Sequence, residues 1–127
     1  MRTFRLSKLV RDGIVPYMQN EGQVVVFRKL NDEEYSRELT KKLLEEAQEF
    51  DPKLPKAAQE LADVLEVVEA LAKELGLSFD DLREVQATIQ KKRGSFDSRL
   101  FVDTVSMPDS DKWSKYYSED PIKYEEI

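Results

Sequence analysis

The 127-residue chain contains no cysteine and no histidine. Without cysteine there is no disulfide and no thiolate chemistry, in keeping with a reducing, cytoplasmic setting. Without histidine there is no His-ligated zinc or haem, no serine–histidine triad and no Glu-x-x-His di-iron pattern. Catalysis is left to carboxylates, lysines, arginines and hydroxyls. Long apolar runs are also missing: Met1-Arg2-Thr3-Phe4-Arg5-Leu6-Ser7-Lys8 offers nothing fit for a signal peptide. No segment approaches the length of a membrane span, so no membrane partner is expected. Neither an internal repeat nor a low-complexity stretch is present.

What the chain has in quantity is charge, 36% of its residues, with a formal net charge of −6. Residues 1–29 carry six basic and two acidic side chains, residues 30–90 seven and sixteen, residues 91–105 four and two, and residues 106–127 three and six. The overall sign argues against general nucleic-acid binding. An acidic centre between two basic segments is instead the layout expected for a metal and a small phosphate-bearing substrate.

The acidic centre is organised. Two helices are expected within residues 31–76, separated by Asp51-Pro52-Lys53-Leu54-Pro55-Lys56, whose prolines force a turn and return the second helix antiparallel to the first. Glu49 and Glu60 stand equally far from the middle of that turn, as do Glu46 and Asp63, so the four carboxylates should meet as two facing rungs. At about 100° per residue, acids three apart share one helix edge. That edge adjoins the apolar stripes Tyr35, Leu39, Leu43, Ala47, Phe50 and Leu61, Val64, Leu65, Val68, Leu71, Ala72, Leu75. Crowded carboxylates repel and lose hydration, a cost offset only by protonation, basic partners or a bound cation. Oxygen donors alone suit Mg²⁺ or Mn²⁺. A lone Glu-x-x-Glu is ordinarily a solvated face; two such pairs, symmetric about a turn, are less easily explained that way.

Around this centre the pattern predicts a short helix over residues 14–21 and a strand over residues 24–30. Asn31 with Glu34 forms a capping box for the first long helix, which runs to about Phe50, and the second runs from about Lys56 to Gly76. Ser78 caps a third that ends in Lys91-Lys92-Arg93-Gly94, and residues 99–105 are expected to pair with the first strand. The fold class is therefore all-α, an antiparallel helical bundle with a small two-stranded β ribbon. Surplus apolar surface on the second helix, at Val67 and Leu71, calls for completion by a second copy, as a homodimer or dimer of dimers. Residues 1–105 form the domain, and residues 106–127 an aromatic-rich tail packing on it or on a partner subunit. The terminal Lys92 and Arg93 fit either a helix-dipole role or phosphate binding, as do Lys8 and Arg11 either a surface role or phosphate binding.

Over residues 6–105 the chain resembles the MazG-type all-α nucleoside triphosphate pyrophosphohydrolases, in particular their phosphoribosyl-ATP pyrophosphohydrolase-like branch. Glu45-Glu46-Ala47-Gln48-Glu49 is similar to that superfamily's Glu-Glu-x-x-Glu and Glu60-Leu61-Ala62-Asp63 to its Glu-x-x-Asp, while Lys8-Leu9-Val10-Arg11-Asp12 and Lys92-Arg93-Gly94-Ser95-Phe96 look like its flanking motifs. The resemblance implies Mg²⁺ held by Glu46, Glu49, Glu60 and Asp63, and hydrolysis of the α–β linkage of a nucleoside triphosphate to monophosphate and pyrophosphate. Glu45 or Glu49 would orient or deprotonate the water, and Lys8, Arg11, Lys92 and Arg93 would bind the phosphates. Two other readings stay open: phosphoribosyl-ATP pyrophosphohydrolase itself, which does not require the aromatic tail, and a non-catalytic helical oligomerisation or binding module.

Overall fold

Asn31 sets the start of the first long helix. Its extended backbone (φ −74°, ψ 172°) lets the side-chain oxygen accept the Glu34 N–H at 2.8 Å, while the Glu34 carboxylate accepts the Asn31 N–H at 3.3 Å. Both otherwise unpaired donors are thereby satisfied. The Arg28 guanidinium grips the same carboxylate with two bonds, at 2.8 and 3.1 Å.

The computed structural model describes all 127 residues, Met1–Ile127. It is helical throughout, with α1 (Ile14–Asn20), α2 (Asp32–Glu49), α3 (Ala57–Glu74), α4 (Phe79–Arg93) and α5 (Lys112–Ser118). No helix is long and apolar enough to cross a membrane. The chain divides into two compact units, Met1–Lys92 and Arg93–Ile127.

In the first unit, α2 stops where Asp51 precedes Pro52, a position biased away from helix. The Asp51 side chain accepts the Lys53 N–H at 2.9 Å and the Leu54 N–H bonds the Asp51 carbonyl at 3.2 Å, which closes the turn. α3 ends in a Schellman motif: the Leu77 N–H reaches the Ala72 carbonyl and the Gly76 N–H the Lys73 carbonyl. Gly76 takes φ +73°, a conformation that a side chain would make costly. Ser78 and Asp81 then form a second reciprocal cap, at 2.9 and 3.0 Å, starting α4.

α2 and α3 pack against each other, and no other two helices do. Ser36, early in α2, donates to Glu74 at the end of α3, as antiparallel helices require. The buried side chains are Leu39, Val67 and Ala72, at 3%, 7% and 3% exposure. Val67 therefore belongs to the hairpin interior and is not a spare contact surface. The uncovered edge of α3 runs through Leu61 (54% exposed), Leu65 (49%) and Leu75 instead. Along α4, Val85 and Ile89 are exposed as well. Total exposure is 12121 Å². A compact chain of this mass exposes about 7,000 Å², and two separately compact units about 8,000 Å².

One expectation needs correction, and two features go beyond the pattern. The two-stranded ribbon is absent, since residues 24–30 and 99–105 carry no strand. Their β-branched and aromatic residues describe a preference for a pleated, half-covered surface, yet Val24, Val26, Phe27, Leu100, Phe101 and Val102 are all exposed. Within one chain the antiparallel packing is a single hairpin, and α4 packs on no other helix. Finally, the tail holds a helix the sequence pattern did not announce. In the second unit Asp111 caps α5 by accepting the Trp113 N–H at 2.9 Å. Trp113, Tyr116, Tyr117 and Tyr124 cluster on one another, with neighbouring ring centroids 4.9 to 6.5 Å apart. Edge-to-face contacts of Trp113 with Tyr116, Tyr116 with Tyr117 and Tyr117 with Tyr124, beside two tilted ones, give the segment an apolar cluster of its own.

Candidate functional site

The hairpin brings the two acidic motifs onto one pair of packed helices. Glu45 and Glu46, on α2, and Glu60 and Asp63, on α3, are half-buried, while Glu49 is exposed. Each acid near the interface has found a cation of the chain itself, or none. Lys8 donates to Glu45 at 2.7 Å, and Arg11 to Asp63 at 2.8 Å. Lys42 stands 3.8 Å from Glu45 and 3.6 Å from Glu46. Glu60 differs from the rest: its Oε1 is fully shielded from solvent and has no hydrogen-bond partner.

The electrostatics follow from these pairings. The hydrogen bond from Lys8 holds the Glu45 carboxyl below its ordinary range, with Lys42 helping. In return the bond and the field of Glu45 raise the Lys8 ammonium, and the fields of Glu49 and Glu46 add to the effect. Lys8 thus senses Glu45, Glu46 and Glu49 at once. Both members of the pair are solvent-accessible, so its contribution to stability is small. Beside it lies a cleft of about 210 Å³ lined by Ser7, Lys8, Glu38, Lys42 and Glu45.

No three carboxylates stand close enough together to hold a metal ion in this arrangement. The donor set nonetheless fits a hard divalent cation. It is all oxygen, it lies on two rigid helices, and the buried Glu60 oxygen lacks a partner that a cation would supply.

Of the residues expected to bind phosphate, Lys8 and Arg11 are joined to the acidic motifs. Lys92 and Arg93, at the end of α4, are exposed and make no ion pair. Lys42 escaped the sequence reading. The signal for it was on the page, because it lies three and four residues before Glu45 and Glu46, the spacing at which helix side chains meet. The second unit has a separate cavity of about 310 Å³, lined by Val105, Ser106, Met107, Asp111, Trp113 and Tyr117. It contains none of the expected site residues.

No protein-family model, no curated protein and no solved structure matches this chain.

Proposed function

We propose that the first unit carries a Mg²⁺-dependent nucleotide pyrophosphohydrolase site, cleaving the α–β linkage of a nucleoside triphosphate to a monophosphate and pyrophosphate. The observation that supports this reading is the Glu60 oxygen, shielded and without a hydrogen-bond partner, on a packed hairpin whose two helices also carry Glu46, Glu49 and Asp63. An acid left so costs stability, and a divalent cation is the group whose arrival offsets that cost. Glu46, Glu49, Glu60 and Asp63 would hold it. Mg²⁺, or Mn²⁺ in its place, supplies neutralisation of phosphate oxygens and polarisation of a water.

The remaining chemistry belongs to side chains. A general base must accept a proton, and Glu45, with an ammonium 2.7 Å away, is the poorer base. Glu49 has no ion-pair partner and is exposed, so it is the better candidate to orient and deprotonate water. Arg93, exposed and unpaired at the end of α4, has a planar fork that suits two oxygens of a phosphate group. A second copy of the chain would cover the Leu61/Leu65/Leu75 edge of α3.

The test is a panel of nucleoside triphosphates incubated with Mg²⁺, with products resolved by chromatography. Monophosphate and pyrophosphate in equal amounts, lost on chelation, are expected. Orthophosphate with diphosphate would place cleavage at the other linkage, and no turnover of any triphosphate would remove the catalytic reading. Within an active panel, Arg93→Lys should slow turnover and Arg93→Ala slow it further, with bare Mg²⁺ affinity unchanged in both.

A further inference from the structure

The second unit holds a cavity that the hairpin chemistry does not use, about 310 Å³ and lined by Val105, Ser106, Met107, Asp111, Trp113 and Tyr117. A local fold builds it. The Asp111 N–H bonds the Pro108 carbonyl at 2.9 Å, a turn that returns the chain so that residues 105–107 and the start of α5 line one space. Trp113 and Tyr117, four apart, share one face of that helix, and their ring centroids stand 6.5 Å apart with 37° between the planes. Each wall is braced by a further ring: Tyr116 meets Trp113 at 5.3 Å and Tyr124 meets Tyr117 at 4.9 Å, both edge to face. The volume lies at the small end of the range for organic-ligand sites, about 300–1,000 Å³.

The chemistry of the lining selects the occupant. Asp111 is its one charged residue, and no lysine or arginine pairs with it. One carboxylate oxygen accepts the Trp113 N–H at 2.9 Å, which leaves the second for a ligand. Ser106 adds a hydroxyl, Met107 a polarisable thioether, and the two rings carry π-faces that attract positive charge. An anion would meet the Asp111 charge with no cation in the lining to balance it. A neutral apolar molecule would strip water from the carboxylate without replacing its hydrogen bonds. Residues 106–127, with three basic and six acidic side chains, add an attractive field for a cation. Trp113 already draws one, since the Lys112 ammonium stands 5.7 Å from its ring centroid.

We propose that this cavity binds a small free alkylammonium ion, whose N–H groups donate to Asp111 and Ser106 while its charge lies against Trp113 and Tyr117. A primary amine suits it better than a quaternary one, because the carboxylate and hydroxyl accept hydrogen bonds that only N–H supplies. The site lies wholly within the second unit and is independent of the α2 and α3 carboxylates.

Trp113 is the chain's only tryptophan, so in ¹⁵N-labelled full chain its indole N–H gives a single NMR signal at the site. The probes are n-butylammonium, 1-butanol and tetramethylammonium at constant ionic strength. n-Butylammonium should shift that signal and the Ser106 and Met107 amides saturably, with a roughly millimolar dissociation constant. Butanol should bind at least about tenfold more weakly and tetramethylammonium about fivefold, each having lost hydrogen bonds or charge. Asp111→Asn removes the charge yet keeps the helix start, since asparagine caps as well as aspartate, and it should weaken n-butylammonium by about tenfold or more. Lys112→Gln, which frees the ring of its resident cation, should tighten binding about twofold. Asp109→Asn makes the same charge change outside the lining and should stay within about twofold of wild type. Butanol binding as tightly as n-butylammonium overturns the proposal, because the cavity would then be a plain apolar pocket. Tetramethylammonium binding as tightly overturns it as well, since no N–H would be read. Equal losses in Asp111→Asn and Asp109→Asn would mean diffuse attraction to an acidic segment, and the absence of any saturable shift would mean no site; either result refutes it.

Discussion

Replacing Glu60 with methionine tests the centre of the argument with a single melting experiment. Methionine keeps the length and flexibility of the side chain and favours helix, so the packing of α3 on α2 should survive. What it removes is a carboxylate oxygen buried without a partner. Leaving such a group unsatisfied costs about 1–3 kcal/mol, so in chelator Glu60→Met should be more stable than the native protein by about that amount. For a unit of this size each kcal/mol moves the melting temperature by about 4–8 °C. Added Mg²⁺ should reverse the ranking's origin. At one hundred times its dissociation constant it stabilises the native protein by about 2.7 kcal/mol, and it should do nothing for the variant. Glu49→Gln is the companion. Glu49 is exposed, so its chelator melt should not move, yet the response to Mg²⁺ should be lost. The assay is differential scanning calorimetry in chelator and across a Mg²⁺ series. A Glu60→Met protein that melts below native in chelator, or that gains as much from Mg²⁺ as native does, refutes the reasoning.

Two further outcomes follow from burial and charge. Leu65→Glu should shift the chain to monomer in light scattering with its helical signal intact, whereas Val67→Glu, placing a charge in the hairpin interior, should cost that signal. Wild type that is monomeric at micromolar concentration contradicts the first half. Acid should loosen helix starts before anything else. The Arg28 bridge and the Asn31 N–H hold Glu34 down from 4.5 to about 2, and hydrogen bonds from Ser78 hold Asp81 below its ordinary value. Groups with lowered folded values stabilise above their ordinary range and lose that contribution as pH falls through the folded value. Helical circular dichroism should therefore decline between about pH 4.5 and 2, and Glu34→Gln should abolish the α2 part of that decline.

The readable parts of this fold were the ones encoded locally. Two capping boxes, Asn31 with Glu34 and Ser78 with Asp81, involve residues three apart, and a Gly76 that takes φ +73° needs only its own missing side chain. The proline turn likewise contains its own instructions. The strands failed for the opposite reason: a strand is defined by a ladder partner, and the β preference of Val24, Val25 and Val26 names no partner. α5 went unseen because its seven residues carry three aromatics and two lysines in place of an apolar period. At the site, the packing of the two motif-bearing helices on each other was legible from the proline turn between them. The attachment of Lys8 and Arg11 to Glu45 and Asp63 was not, since chain closures of 37 and 52 residues leave no periodic trace.

The order of these partners along the chain bears on how it is made. Synthesis proceeds at about 5–20 residues per second from the N-terminus, so Lys8 and Arg11 emerge before any of the acids they meet. When α2 and then α3 appear, the cations are already in solution beside them. The hairpin itself needs only near-neighbour contacts, which form in microseconds to milliseconds, far faster than the next residue is added. Glu45 and Asp63 therefore emerge into a chain in which Lys8 and Arg11, the cations they bond, have already been made.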